Sequence, residues 1–123
     1  MTEQFVTYEQ ALALKELGFD EPCMALFFNG DKQLIQQIFN DTRPFDKEVL
    51  TLAPLKQQIF RFFREKYKLL HNITEYNKDG SLIIQIYQDK FEIYNLMTAF
   101  DINEYEEAES ACIDKLIEIA KTK

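Results

Sequence analysis

Several residue types are scarce in this 123-residue chain, and each scarcity excludes a kind of structure. There is no tryptophan, and there are only three glycines, three prolines, two cysteines and one histidine. Few glycines and prolines predict few long loops. No stretch approaches the ~20 apolar residues that a membrane span requires, and the N-terminus has neither the basic region nor the apolar run of a signal peptide. We therefore expect a soluble, cytoplasmic protein without membrane contact, whose cysteines Cys23 and Cys112 stay reduced.

The side chains needed for common catalytic chemistry are also scarce. His71 is the only histidine, so a Ser–His–Asp or Cys–His arrangement would have to use it. Ser81 lies at an expected hairpin and Ser110 within an expected helix, and two cysteines with one histidine cannot supply the four ligands of a structural zinc site. No phosphate-binding glycine loop, dinucleotide fingerprint or calcium loop is present. The sequence predicts that the protein is not an enzyme and binds no metal or cofactor.

An enzyme of an unrecognised type stays open as an alternative. It would require a concave pocket around His71 or around the acidic cluster at residues 104–109. That cluster has a simpler interpretation, because carboxylates are favourable at the positive end of a helix dipole.

The residues that are abundant predict a globular fold. Hydrophobic residues make up 46% of the chain and charged residues 28%, and the 11 phenylalanines and 6 tyrosines can fill a core. A chain of this length has room for one core. We expect a single domain spanning residues 1–123.

The first elements are marked by capping and turn residues. Thr7 and Gln10 form a capping box for a first helix, and Gly18 is a natural stop. An apolar run at residues 24–28 predicts a short strand that ends at the turn dipeptide Asn29-Gly30.

Residues 31–50 are ambiguous. Their apolar residues fit helical spacing, yet a second strand of the hairpin at residues 29–30 is an equal possibility. We favour a strand followed by an irregular loop, because the sequence at 42–44, Thr-Arg-Pro, ends any regular element there.

The central helix has the clearest pattern. Thr51 is expected to cap it, and Pro54 would lie in the first turn, where a missing N–H costs nothing. One buried face is expected, formed by Leu55, Ile59, Phe62, Phe63, Tyr67 and Leu70.

Three strands and a helix are expected after it. The strands are predicted at 72–76, 81–88 and 91–96, with a four-residue hairpin loop between the first two. In the middle strand, residues 82, 84 and 86 should form one apolar face. Asn103 and Glu106 predict a capping box for the last helix, whose apolar stripe contains Tyr105, Ala108, Cys112, Leu116 and Ile119.

These elements predict an α+β fold in which a small antiparallel sheet packs against the two longer helices, preceded by an N-terminal helix and short strands. The order helix–strand–strand–strand–helix over residues 53–121 resembles the double-stranded-RNA-binding domain. That family contacts RNA through a lysine-rich start of its last helix. Here the corresponding positions include Glu104, Glu106, Glu107 and Glu109, which would repel phosphates. The resemblance therefore implies a similar topology and not a similar function.

Three segments carry a closer resemblance, to a group of short uncharacterised proteins found in genomes of Bacteroidetes and of bacteriophages and prophages. They are FVTYE at 5–9 with LKELGFDEPC at 14–23, APL at 53–55 with FFREKY at 62–67, and YEEAE at 105–109 with KLIEI at 115–119. Phe62 departs from the group, which has tryptophan there. The resemblance implies a phage or mobile-element context and nothing about chemistry.

Charge is unevenly distributed along the chain. The net charge is −7, which argues against general nucleic-acid binding. Residues 52–72 nevertheless carry five basic side chains and one acidic, a net charge of +4. On a helix, Arg61, Arg64 and Lys68 would fall within about one-sixth of the circumference, beside the apolar stripe, and Gln57 would join them.

This basic face has two interpretations, a solvated outer surface or a docking patch formed by Arg61, Arg64 and Lys68. We predict a non-catalytic interaction protein that binds a macromolecular partner, most simply another protein, because an acidic chain is attracted to basic surfaces. The alternative is a weak nucleic-acid-binding module that uses the three basic residues. The oligomeric state stays open.

Overall fold

The computed structural model describes residues 4–21, 23, 25–36, 50–75, 81–98 and 100–122. Backbone contacts divide the chain into two compact units, Met1–Leu55 and Lys56–Lys123, each with its own sheet. The α+β class is confirmed. The single domain spanning residues 1–123 stays a prediction.

The first unit begins with the expected helix, α1 (Tyr8–Glu16). The hydroxyl of Thr7 accepts the backbone N–H of Gln10, and the Gln10 side chain accepts the N–H of Thr7, which confirms the capping box. The chain leaves the helix at Gly18, whose φ of 91° favours glycine. Both ends of α1 were therefore predictable from local sequence.

Three short strands form the sheet of the first unit: β1 (Ala25–Phe28), β2 (Leu34–Gln36) and β3 (Leu50–Leu52). All pairings are antiparallel, in the order β2-β1-β3. The expectation of a strand within residues 31–50 is confirmed at Leu34–Gln36. The loop expected after it falls at residues 37–49, which lie outside the described part of the chain.

Thr51 does not cap the central helix. It lies in β3 opposite Phe27, is buried, and donates its hydroxyl to Asn29 Oδ1 at 2.5 Å. Pro54 likewise precedes the helix, and its carbonyl accepts the N–H of Val6 at 3.1 Å. The prediction was wrong because a threonine suits a strand as well as an N-cap, and a cross-strand partner decides between them.

The second unit has the expected order of helix, three strands and helix. Its elements are α2 (Lys56–Lys66), β4 (Leu69–Glu75), β5 (Leu82–Gln88), β6 (Phe91–Met97) and, after a short 3-10 helix at Ile102–Glu104, α3 (Tyr105–Lys121). The sheet is antiparallel in the order β4-β5-β6.

One face of this sheet is covered by the two helices. Leu82, Ile84 and Ile86 lie on it and are almost fully buried, which confirms the predicted apolar face of the middle strand. α2 contacts β4, and α3 contacts both β4 and β5. The core of the second unit therefore lies between this face and the helices.

The boundary between α2 and β4 differs from the expectation. The helix ends at Lys66, and Lys68 has a φ of 59°, a left-handed conformation that ends the helical path. Leu70 consequently lies in β4 and is 49% exposed, so it is not on the buried helix face. The apolar spacing expected of the helix extends beyond Lys66, its last residue, because the apolar residues that follow belong to β4. The buried one among them is Leu69.

The expected capping box is absent from α3 itself, whose N-cap residue Glu104 makes no side-chain cap, and a capping box lies two residues earlier than expected, at the preceding 3-10 helix. Asp101 accepts the N–H of Asn103, and Asp101 and Glu104 form the capping box of the short 3-10 helix that leads into α3. Asn103 with Glu106 is therefore not the cap. The expected hairpin loop at 77–80 lies outside the described residues.

The longest helix of the described segments is α3, with 17 residues. None of the described helices is both long enough and apolar enough to cross a bilayer.

Candidate functional site

The three basic residues proposed from the sequence are all exposed. Arg61 and Arg64 lie on the solvent side of α2, and Lys68 lies in the turn after it. Arg61 Nε is 4.0 Å from Glu65 Oε1, a pair that is exposed on both sides and contributes little to stability. The structure therefore places two of the three on one helix face and the third on the adjoining turn.

Gln57 does not join this basic face. Its side-chain amide donates to Glu109 Oε2 of α3 at 3.0 Å. It belongs instead to a polar cluster between α2 and α3 that consists of Lys56, Gln57, Glu106 and Glu109. We call it the buried polar cluster after its two buried members, Lys56 and Glu109, whereas Gln57 is exposed and Glu106 is partly exposed.

Lys56 is the cation of the buried polar cluster. Its side chain is only 7% exposed, and Nζ donates to the backbone carbonyl of Glu106 at 3.0 Å and to Glu106 Oε2 at 3.5 Å. A buried ammonium is tolerated when its hydrogen bonds are satisfied in this way. The cluster therefore ties the first turn of α2 to the first turns of α3.

Glu109 is the buried acid of the cluster. Burial, a hydrogen bond with the Glu106 carboxyl and the charge of Glu106 raise the pKa of Glu109 from 4.5 to about 7, although Lys56 and Gln57 act in the opposite direction. Two adjacent carboxyl groups that share a hydrogen bond hold a proton more tightly than either alone. The cluster can therefore bind and release a proton near neutrality.

The sequence interpretation of residues 104–109 as carboxylates at the positive end of a helix fits Glu104 and Glu107 and is incomplete for Glu106 and Glu109. Glu104 caps the 3-10 helix, whereas Glu106 and Glu109 face α2. Glu109 stands four residues after Tyr105 and three before Cys112, within the apolar stripe. A carboxylate at a position on the apolar stripe was therefore the sequence signal that could have identified Glu109 as a buried acid.

His71 lies in β4 opposite Ile86, and its ring stacks on Phe60 with centroids 3.7 Å apart and planes 12° from parallel. Burial, and then the charge of Arg64, lowers the pKa of His71. The ring is therefore held neutral at physiological pH, as a packing group of the core.

Both cysteines are free thiols. Cys112 is buried, and Cys23 is partly buried with its Sγ donating to the carbonyl of Glu21 at 3.3 Å. Burial, with a smaller contribution from a nearby carboxylate, raises the pKa of each thiol to about 12. Neither thiol is therefore an activated nucleophile.

Metal ligands do not converge in the described part of the chain. No group of three or more histidine, cysteine, aspartate or glutamate side chains there could hold a metal ion. The buried polar cluster contains a lysine ammonium beside its carboxylates, which is unfavourable for a second cation.

An open cleft lies in the first unit between the end of α1 and β3. Its volume is about 360 Å³, and its lining includes Lys15, Phe19, Asp20 and Leu50–Leu52. The volume is at the lower end of the range for small-molecule sites. The lining contains neither a histidine nor a cysteine, and so no nucleophile–base pair of the usual kind.

The most unusual surface of the second unit lies on β6. Four large apolar side chains of this strand are exposed, and we call them the β6 surface: Phe91 (74%), Met97 (60%), Ile93 (44%) and Leu96 (43%). The sequence predicted this strand but not its exposure. An alternation of apolar residues predicts a half-buried strand, whereas β6 is the outermost strand of the sheet and the helices contact β4 and β5 more extensively.

Comparisons with known proteins do not assign the chain to a family. No protein-family model, curated protein or solved structure matches the chain significantly. The likeness to the double-stranded-RNA-binding domain therefore rests on element order, and the likeness to the phage and Bacteroidetes group stays a prediction.

Proposed function

We propose that the chain is a non-catalytic interaction protein and that the β6 surface is where it binds a partner protein. The observation that carries the proposal is the exposure of four large apolar side chains on one outer strand. Scattered exposed apolar residues are normal, but here four lie on one edge strand, on both of its faces, since Leu96 is opposite Ile84 and Met97 is opposite Ile83. Such a concentration is typical of an interaction site.

The backbone of β6 supports the same conclusion. β6 pairs with β5 on one side, and no described strand lies on its other side. Natural edge strands are usually protected by lysine, proline, inward-pointing charges or a β-bulge, and β6 has a bulge at Ile93, between the residues that pair with Ile86 and Tyr87. Residues 93–98 contain no charged residue and no proline. The regular part of the strand after the bulge, residues 94–97, is therefore suited to pair with another strand by main-chain hydrogen bonds, with pockets for alternate side chains giving specificity.

The partner that fits is an extended, apolar segment of a protein. A nucleic acid does not suit this surface, because the only charged residue in the strand is Glu92. If the resemblance to phage and prophage proteins is correct, the partner belongs to the phage or to its host.

Photo-crosslinking from the surface itself tests this proposal. A photoreactive amino acid is placed at Phe91 or Met97 of the full chain in its native cells, with Leu12, an exposed residue of α1, as the matched control position. We expect adducts from the two β6 positions that disappear when Ile93→Lys is added. Adducts that form equally from Leu12, or that survive Ile93→Lys, would contradict the proposal.

A weak nucleic-acid-binding function is a second candidate, supported by the exposure of Arg61, Arg64 and Lys68. Labelled single-stranded RNA and duplex DNA are the probes, measured by fluorescence anisotropy over a range of salt concentrations. For duplex DNA, replacing all three residues by alanine should reduce the slope of log K against log salt by up to about 2.7.

The matched control replaces three other exposed lysines, Lys32, Lys90 and Lys121. Equal effects of the two triple variants, or no binding at low salt, would eliminate this candidate.

A further inference from the structure

We infer that the buried polar cluster makes the contact between α2 and α3 depend on a proton. One proton shared by Glu106 and Glu109 keeps the first two turns of α3 against α2, and its loss releases those turns while the rest of α3 stays in place. The inference goes beyond the proposed function, because it concerns the two helices and not the β6 surface. It rests on the charge balance of the cluster, the bond between its carboxyl groups and the way α3 is anchored.

The buried polar cluster holds one cation and two carboxyl groups. Lys56 Nζ donates to the backbone carbonyl of Glu106 at 3.0 Å and lies 3.5 Å from Glu106 Oε2. Glu109 Oε2 accepts the neutral side-chain amide of Gln57 at 3.0 Å. The cluster is therefore neutral with one proton on the carboxyl pair and has a net charge of −1 without it. Because Glu109 is only 6% exposed, water does little to stabilise that charge.

The carboxyl groups of Glu106 and Glu109 are hydrogen-bonded to each other. Two carboxyl groups can form this bond only when one of them carries a proton, since an ionised carboxylate has no donor. Loss of the proton breaks the bond and leaves two negative charges side by side in the first two turns of α3. The same event therefore removes an attraction and adds a repulsion between α3 and its neighbours.

Other titratable groups surround Glu109. Outside the cluster they are Tyr105 and Cys112 of α3, His71 and Glu75 on the helix-covered face of β4, and Asp101 and Glu104 at the 3-10 helix. The pKa of Tyr105 is raised above 10 and that of Cys112 to about 12, so both are neutral at pH 8. The pKa of His71 is lowered from 6.5, below the range in which Glu109 titrates. Glu75 is exposed, and the acids of the 3-10 helix cap it.

The two halves of α3 are anchored differently. The second half buries most of the apolar residues of the helix, namely Cys112, Ile113, Leu116, Ile117 and Ala120. In the first turn Ala108 is buried, whereas Tyr105 and Glu106 are partly exposed and Glu107 is exposed. The N-cap residue Glu104 adds no side-chain hydrogen bond. Release of the first two turns therefore exposes little apolar surface, as in other local openings of a native fold.

The direction of the pH dependence follows from the two states. The pKa of Glu109 is about 7 in the closed contact, and 4.5 is its ordinary value in water. The closed contact therefore binds more protons between these values. The ratio of closed to released molecules is highest below pH 4.5 and falls as the pH rises through 7. Between pH 6 and pH 8 the ratio should fall about tenfold, because the proton is held at the first pH and lost at the second.

Amide hydrogen exchange of the full chain, followed by NMR at pH 6 and pH 8, tests the inference. The amides of residues 109–112 are the reporters, since they donate to the carbonyls of residues 105–108 within α3. After division by the intrinsic exchange rate, their protection should fall about tenfold. Glu109→Gln should remove this fall, whereas any contribution from His71 would persist in it. Glu107→Gln, an exposed change in the same turn, should behave as the parent does.

Low urea concentrations, below the unfolding transition, distinguish local release from unfolding of the whole protein. The reference amides are those of Ile84 and Ile86 in the central strand β5. Their protection should fall with urea, because complete unfolding exposes much surface. Protection at residues 109–112 should be lower and almost independent of urea. An equal urea dependence at both places, a tenfold fall that persists in Glu109→Gln, or no fall between pH 6 and pH 8 in the parent overturns the inference.

Discussion

Within the second unit, the contact between α2 and α3 buries charged side chains, whereas β6 exposes large apolar ones. Lys56 and Glu109 are each nearly inaccessible, while Phe91 and Met97 are more than half exposed. Both regions reverse the usual distribution of side chains, but their consequences differ. A buried charge is tolerated only with its partners in place, so the buried polar cluster depends on its own geometry. An exposed apolar side chain costs the isolated fold little and favours a contact outside it.

The largest effect is expected at the cation of the buried polar cluster. Lys56→Ala removes a buried stem and leaves the two carboxyl groups of Glu106 and Glu109 without their positive neighbour, so we expect the free energy of unfolding to fall by about 3 kcal/mol. Urea denaturation at pH 8 measures it. Lys121→Ala, which replaces an exposed lysine at the end of α3, is the control and should cost about 0.5 kcal/mol or less. Equal losses in the two variants would show that the cluster is not stabilised by Lys56.

The second effect concerns the proton held by Glu109. Its pKa is raised from 4.5 to about 7 in the fold, so the folded state binds more protons than the unfolded state between these values. Stability is then fully present below pH 4.5 and falls as the pH rises to 7. Glu109→Gln cannot ionise, and should be more stable than the parent above pH 7 by about 1–2 kcal/mol.

Denaturation curves at pH 5 and pH 8 distinguish the two proteins. The parent should lose stability between these values by more than Glu109→Gln does. Glu107→Gln, on the exposed side of the same helix turn, should follow the parent. A Glu109→Gln variant with the parent's pH dependence would contradict the assignment.

The smallest effect on stability is expected on the β6 surface. Phe91→Ser and Met97→Ser should change the free energy of unfolding of dilute protein by no more than about 0.5 kcal/mol, because these side chains are mostly exposed. The contrast between the buried polar cluster and the β6 surface would not hold if either variant lowered the free energy of unfolding as much as Lys56→Ala does. That result would mean that β6 is covered within a single chain.

Local sequence predicted the elements better than their ends. The capping box at Thr7 and the stop at Gly18 were both correct, because every group involved lies within one turn of the helix. Thr51 and Asn103 were assigned as caps and are not. Thr51 pairs with Phe27 in a strand, a contact distant in sequence, and Asn103 lies within a 3-10 turn that Asp101 caps.

The candidate sites were predictable to different degrees. The basic residues Arg61, Arg64 and Lys68 were predicted to be exposed and are, although the left-handed conformation of Lys68 takes it off the helix. The buried polar cluster could be suspected only from Glu109, since its partners Lys56 and Gln57 are about 50 residues away. The exposure of β6 depends on its place in the strand order of the sheet, and the apolar pattern of a single strand does not indicate that place.

The sequence by itself determined that the chain forms three helices and short antiparallel strands in the described segments, with the phenylalanine-rich face of α2 buried. Periodicity and capping act over a few residues, so they can be read without the fold. Tertiary structure alone decided that β6 lies at the edge of its sheet and that Lys56 meets Glu106 and Glu109. Strand order and helix contact are set by the balance of the whole core, and they determine which apolar residues stay exposed and which charges become buried.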